Sequence, residues 1–216
     1  MFIYCEGFDL ISIIEQKKMQ HKSSIIIIAV FLSTIQLMAQ EKGTFTDSRD
    51  GKIYKTVKIG TQTWMAENLA YKTDNGCWAY DNNPKNVATY GYLYDFKTAK
   101  KVCPEGWHIP SDEEWVALIT HLGGSRLVGD KLKTITTWDK QGANPTNSSG
   151  FSAVAAGIFD ADANAFSELG RQTSWWSTAQ LNSYTYYIYC VYYDSSDIAR
   201  SNDFETNGHS VRCIKD

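Results

Sequence analysis

The chain has 216 residues, enough for one domain with extras or for two small domains. Basic and acidic residues nearly balance, 21 against 24 for a net charge of −3, which leaves no cationic footprint for nucleic acid. Thirteen tyrosines and seven tryptophans join large apolar bodies to polar tips, a composition suited to a loop-rich core or to a binding face.

Residues 19–40 have the composition of a signal peptide. Met19-Gln20-His21-Lys22 begin with positive charge, Ile25 to Met38 form an apolar run, and Ala39 supplies the small residue before cleavage. Residues 1–18 precede the second methionine and read as a mis-assigned upstream extension, so the mature chain is expected to begin at Gln40 or Glu41. The run is short for a membrane span, which leaves no integral span after leader cleavage. An uncleaved anchor is the alternative written in the same letters. No cysteine follows the run, so a lipid-modified N-terminus is not expected. Export places the protein in the periplasm, at the outer surface or in the medium, where thiols oxidise. Cys5 departs with the leader, and Cys77, Cys103, Cys190 and Cys213 remain. None has C-x-x-C spacing, so neither a zinc knuckle nor a thioredoxin-like site is indicated.

Residues 41–48 are polar and read as a flexible lead-in to a domain over 49–216. Asp50-Gly51 marks a turn, and the runs Ile53 to Ile59 and Gln62 to Ala66, joined through Gly60-Thr61, predict a β-hairpin. Turn chemistry at Asn75-Gly76 and Asp81 to Pro84 brackets Cys77 to Tyr80. Tyr90 to Tyr94 is β-like or the start of a helix, and Asp95 to Lys101 predicts a short helix with Phe96 and Ala99 inward. The strongest local signal follows. Ser111 stands where an N-cap belongs, with Glu114 three residues on to complete a capping box. Asp112, Glu113 and Glu114 place negative charge in the first turn. Trp115, Leu118, Ile119 and Leu122 form one apolar stripe, and Gly123-Gly124 ends it. Arg126 to Lys133 reads as a second short helix, and 142–150 as a loop. From Phe151 onward come short strands at Phe151 to Phe159, Thr173 to Thr178, Tyr184 to Tyr193 and Ser210 to Ile214. Helices early and strands late make an α+β pattern.

Six motifs occur in order: Trp64-Met65-Ala66-Glu67-Asn68-Leu69, Tyr90-Gly91-Tyr92-Leu93-Tyr94, the Cys103 to Trp115 stretch, Ser149-Gly150-Phe151-Ser152-Ala153, Trp175-Trp176-Ser177-Thr178 and Ser210-Val211-Arg212-Cys213. Together, over about residues 47–216, they resemble the Fibrobacter succinogenes major paralogous domain, a family of exported and surface proteins of Bacteroidetes-type bacteria with no established molecular role. Ile109 to Trp115 and Val211-Arg212-Cys213 are more distantly similar to the ends of the formylglycine-generating sulfatase-modifying domain. That similarity implies a C-type-lectin-like fold, with helices in the front half, short antiparallel strands in the back half, and both termini in one sheet. It is an analogy of fold and carries no function. The resembling motifs also imply a Cys103–Cys213 disulfide, with Cys77–Cys190 as a weaker second pair.

The chemistry-bearing residues form no convergent set. Cys190 and Cys213 depart from the spacing of the sulfatase-modifying cysteine pair, which favours structural roles. His108 as a general base would need a nucleophile or carboxylate partner, and no serine motif such as G-x-S-x-G occurs, so a histidine hydrogen-bonded at a helix entry is the simpler reading. His121 suits a helix C-terminus, and His209 a turn. Asp160, Asp162 and Asn164 alternate as calcium ligands would, but Ala165 and Arg171 occupy the positions that want Gly and Glu. A solvated hairpin loop is the simpler reading. On a strand Trp175 and Trp176 face opposite ways, so Trp176 with Tyr184, Tyr186, Tyr187 and Tyr189 is the candidate ligand surface. The expectation is an exported, non-catalytic binding or structural module that recognises carbohydrate or a surface protein and needs no cofactor, calcium being the single candidate. The alternative is an enzyme on a lectin-like scaffold related to the sulfatase-modifying enzymes.

Overall fold

The computed structural model describes residues 17–18, 40–140 and 142–216. The signal peptide at 19–40 and the extension at 1–18 lie outside the described residues, apart from Lys17, Lys18 and Gln40. No helix among the described residues is long and apolar enough to cross a membrane.

From residue 40 the chain opens with strands. β1 (Lys42–Thr46), β2 (Ile53–Ile59) and β3 (Gln62–Met65) form an antiparallel meander. Next come β4 (Cys77–Trp78), two 3-10 turns, helix α1 (Val87–Tyr90), β5 (Leu93–Tyr94), α2 (Phe96–Val102), β6 (Trp107–His108), α3 (Asp112–His121) and α4 (Val128–Leu132). The remainder is β: β7 (Ala156–Asp160), β8 (Ala165–Leu169), β9 (Gln172–Asn182), β10 (Thr185–Tyr192), β11 (Ile198–Phe204), β12 (His209–Ser210) and β13 (Ile214–Lys215). A five-stranded sheet runs β1-β2-β3-β13-β6, a six-stranded sheet runs β11-β10-β9-β12-β5-β4, and β7-β8 stand as a hairpin.

This layout overturns the α+β, lectin-like expectation. The protein is mostly antiparallel sheet, strands lead the front half, and its longest described helix has ten residues. The error has a physical source. A capping box and an apolar stripe mark α3 plainly, but they report one helix and not the layer it belongs to. Residues 41–48, expected as a flexible lead-in, contain β1, which pairs with β2 along its whole length. The predicted final strand is two strands in two sheets. Ser210 pairs in the larger sheet and Ile214 in the smaller, so Val211-Arg212-Cys213 crosses between them.

Local expectations fare better. Ser111 caps α3, and Ser111 and Glu114 make both halves of the capping box. The helix expected over Asp95 to Lys101 forms as α2 with Phe96 and Ala99 buried as expected; Asp95 stands just before it as the cap, accepting from Thr98 N at 2.7 Å. The disulfide is Cys103–Cys213, closing 110 residues. It ties the end of α2 to the inter-sheet crossing, and closing so long a loop stabilises by about 2–4 kcal/mol.

Two cores lie on opposite faces of the larger sheet. One holds Trp64, Trp115, Phe151, Trp175, Tyr189 and Val191, with α3 and α4 contributing Leu118, Val128 and Leu132. Its rings pack closely, Trp64–Trp115 at 5.0 Å and Trp115–Tyr189 at 4.9 Å between centroids. The other holds Tyr94, Phe96, Trp107, Trp176, Ile188 and Cys190 beneath α2. Side-chain alternation therefore sends β9 and β10 residues into both cores in turn.

Candidate functional site

The covered second face decides the fate of the predicted aromatic surface. Trp175 and Trp176 do point opposite ways, yet both are buried, at 0% and 1% exposure. Trp176 Nε1 donates to Tyr94 O at 2.7 Å, and its ring meets Phe96 and His209 edge-on. Tyr189 is equally buried, its hydroxyl donating to Asp112 Oδ1 at 2.7 Å. Neither residue presents a surface, contrary to expectation. Tyr186 is half-buried and stacks on Phe96. Tyr187 is half-buried under Arg200, whose guanidinium lies 3.3 Å from the ring centroid. Of the five, Tyr184 alone is open, at 69% exposure.

Tyr184 has apolar company. Leu181 on β9 and Phe204 on β11 are exposed at 47% and 55%. Thr185, beside Tyr184, pairs with Asn182 and with Phe204, so the three side chains share one end of the larger sheet. The β9–β10 register shifts just there, which bends the tip away from the regular ladder. Behind the tip, Arg200 Nε donates to Asp112 Oδ1 at 2.7 Å and pins the first turn of α3 to β11. Burial pushes the Asp112 carboxyl up, but the bonds from Arg200 and Tyr189 outweigh it and hold it below its usual range.

The family-like motifs meet elsewhere, in the interior. Arg212 is wholly buried between the sheets. It donates to Asn68 Oδ1 from Nη2 at 2.7 Å and from Nε at 3.2 Å, to Met65 O at 3.1 Å, and to Phe151 O. Its guanidinium also stacks 4.3 Å from the Phe151 centroid. Asn68 accepts from Trp175 Nε1 at 2.9 Å and donates to Tyr90 O and Ser210 Oγ. Burial pulls the Arg212 pKa down to about 9, and the charge of Glu67 only partly opposes it. Backbone carbonyls and the Asn68 amide oxygen satisfy this cation, so the cluster acts as a girder at the crossing.

A second buried chain has the residue types of a hydrolase triad. Ser174 Oγ lies 2.5 Å from His209 Nδ1, and His209 Nε2 lies 2.9 Å from Asp203 Oδ2. With Nε2–H donating to the carboxylate, Nδ1 is left to accept from the serine hydroxyl. The ring nitrogens are used in the opposite sense to a serine protease, where the nucleophile faces Nε2. Ser174 is fully buried and the Trp176 ring lies against the imidazole, so a substrate has no approach to Oγ. The chain fastens the 203–209 turn to β9. Burial raises the Asp203 pKa, and the bond to His209 outweighs it to leave the carboxyl below its usual range. Ser174 lies 35 residues from His209, and the three residues sit on three different strands, so no local motif joins them.

The other sequence candidates are likewise occupied. His108 sits between Asp216 Oδ1 at 2.6 Å and Glu114 Oε1 at 2.9 Å. Burial lowers its pKa, but the two carboxylates outweigh that and raise it above the ordinary value. Both ring nitrogens are taken, so the imidazole clamps rather than abstracts. Asp160 accepts from Ala163 N at 2.9 Å and caps the β7–β8 turn, with Asp162 and Asn164 on the same loop. No group of three His, Cys, Asp or Glu that could hold a metal occurs among the described residues. Cys77 and Cys190 are free thiols, which corrects the second disulfide. β4 and β10 are separated by β9, β12 and β5, so roughly 19 Å of sheet lies between them, far beyond the reach of a disulfide. Burial pushes the Cys190 thiol up to about 12, and Cys213 is committed to Cys103. Lys133, which the sequence marks only as the end of a helix, is fully buried, donates to Tyr192 O at 2.9 Å and Ser195 O at 2.6 Å and holds the loop after β10.

Comparison with known proteins adds one match. A family model described as the Fibrobacter succinogenes major domain covers residues 57–215. No curated protein matches the chain, and no solved structure does.

Proposed function

The chain belongs to the Fibrobacter succinogenes major domain family, and from that premise we propose that it is an exported, non-catalytic binding module of the cell envelope. One observation carries the reading: Leu181, Tyr184 and Phe204 stand exposed together at the end of the larger sheet. The same chain buries Trp64, Trp115, Trp175 and Trp176 almost completely, so a cluster of large apolar side chains left in water is a contact surface in waiting. Leu181 and Phe204 have no polar tip, which suits the apolar centre of a protein interface better than a sugar ring. The nucleophile-like and acid–base groups described above are engaged in internal bonds, which supports binding over chemistry.

The test is retention of envelope proteins and of a glycan panel on the immobilised chain, against a Tyr184→Ala/Phe204→Ala variant. The expected result is a retained protein that the variant releases while its thermal unfolding stays unchanged. Retention indifferent to the double substitution, or retention of glycans alone, would overturn this reading.

A further inference from the structure

On the far side of the larger sheet from α3, a groove of about 380 Å³ opens between the 47–52 turn, the 71–76 loop and α2. We propose that this groove binds an acidic saccharide by its anionic group, a uronic carboxylate or an ester sulfate. The site is separate from the sheet-end surface and does not depend on it.

Arg49 is the built part. Asp47, fully buried, accepts from Arg49 Nε at 2.9 Å, from Nη2 at 2.6 Å and from the Arg49 backbone N at 3.0 Å. The guanidinium also lies 3.9 Å from the Tyr71 ring centroid. A fork held on two sides has little rotamer freedom left to lose on binding. Its Nη1 has no protein partner among the described residues, and the side chain lines the groove. Across from it, Lys97 and Lys101 are four residues apart on α2 and so share a face. Both are exposed, and neither forms an ion pair among the described residues.

Charge favours an anion. Asp47 balances Arg49, and Asp95 balances one of the two lysines, so one positive charge remains over. Asp95 is itself occupied as the cap of α2. Thr73, Asn75 and Thr98 add hydroxyl and amide groups for a polyhydroxylated body, beside the apolar Val102 and the Tyr71 ring. Gly76 closes the floor. Its φ is +69°, and a Cβ there would collide with the side chains of Thr98 and Asp95, so the loop rests directly on the helix start. A nucleotide is a poorer fit, because the Tyr71 face that a base would stack on carries Arg49.

Isothermal titration of the full chain with tri-galacturonate, with a sulfated disaccharide and with their neutral counterparts tests the site. Binding of either anionic probe, weakened by salt and absent for the neutral sugars, is expected, and which probe binds tells carboxylate from sulfate. Lys97→Glu/Lys101→Glu, on exposed positions that leave the fold intact, should weaken binding by at least roughly tenfold. Arg49→Lys keeps the charge beside Asp47 but loses the fork, and should weaken it as well. Equal binding of neutral and acidic sugars overturns the proposal. So does failure of both anionic probes at millimolar concentration, or an affinity that the double lysine variant leaves unchanged.

Discussion

Along β9 the first stretch, Gln172 to Ser177, is covered on both faces, whereas Thr178 to Asn182 runs past both cores towards solvent. The two halves differ little in strand character, yet they do opposite work. In the covered half three polar side chains are engaged internally, Ser174 with His209, Trp175 with Asn68 and Trp176 with the Tyr94 carbonyl, while the buried Thr173 hydroxyl has no partner. In the overhanging half Leu181 and, beyond the turn, Tyr184 stand largely open to solvent. Burial on two faces turns reactive groups into scaffold. The accessible chemistry is left at the overhang and in the grooves.

Substitution on the two faces of the covered half tests that contrast most severely. Trp175→Ala and Trp176→Ala should each cost about 3–5 kcal/mol in chemical denaturation, because each empties a different core. If Trp176→Ala cost under about 1 kcal/mol, the second face would be open after all.

Reduction of Cys103–Cys213 comes next in size. Cys103→Ser/Cys213→Ser should lose about 2–4 kcal/mol by loosening the inter-sheet crossing, while Cys77→Ser leaves unfolding unchanged. Peptide mapping without reductant should recover the Cys103–Cys213 link and free Cys77 and Cys190.

The buried relay has a pH signature. Asp203 titrates lower folded than unfolded, so its contribution is present in full above the unfolded value near 3.9 and disappears as pH falls through the lower folded value. Asp203→Asn should destabilise by about 1–3 kcal/mol at neutral pH and flatten the acid limb of the stability curve. An unchanged acid limb would take the relay out of the scaffold.

His108 has the opposite sign and a smaller effect. Its raised pKa means that the clamp is at full strength below about 6.5 and weakens as pH rises through the higher folded value. Glu114→Gln should remove part of this alkaline drift in melting temperature, and so should Asp216→Asn.

At the overhang the expected change is the smallest. Tyr184→Ala should shift stability by no more than about 0.5 kcal/mol while removing the contact proposed for the sheet end. A large loss of stability there would merge the two halves of β9 and sink the contrast.

How much of this was legible depended on how far along the chain each signal reaches. The α3 capping box, the Asp95 cap and the β2–β3 hairpin are set by residues a few positions apart, so sequence alone determined them. The Cys103–Cys213 bond was legible only through family resemblance, since nothing in the spacing joins residues so distant. β1 and β11 were missed because edge strands with polar faces lack the alternation that marks a half-buried strand. The layout of sheets, the split of the last strand at Arg212 and the burial of Trp176 were decided by tertiary structure alone. Alternation says that Trp175 and Trp176 face opposite ways, but whether the second face is water or another core depends on where α2 packs. For the same reason Ser174, His209 and Asp203 look ordinary one by one. Three strands have to meet before they become a single hydrogen-bonded chain.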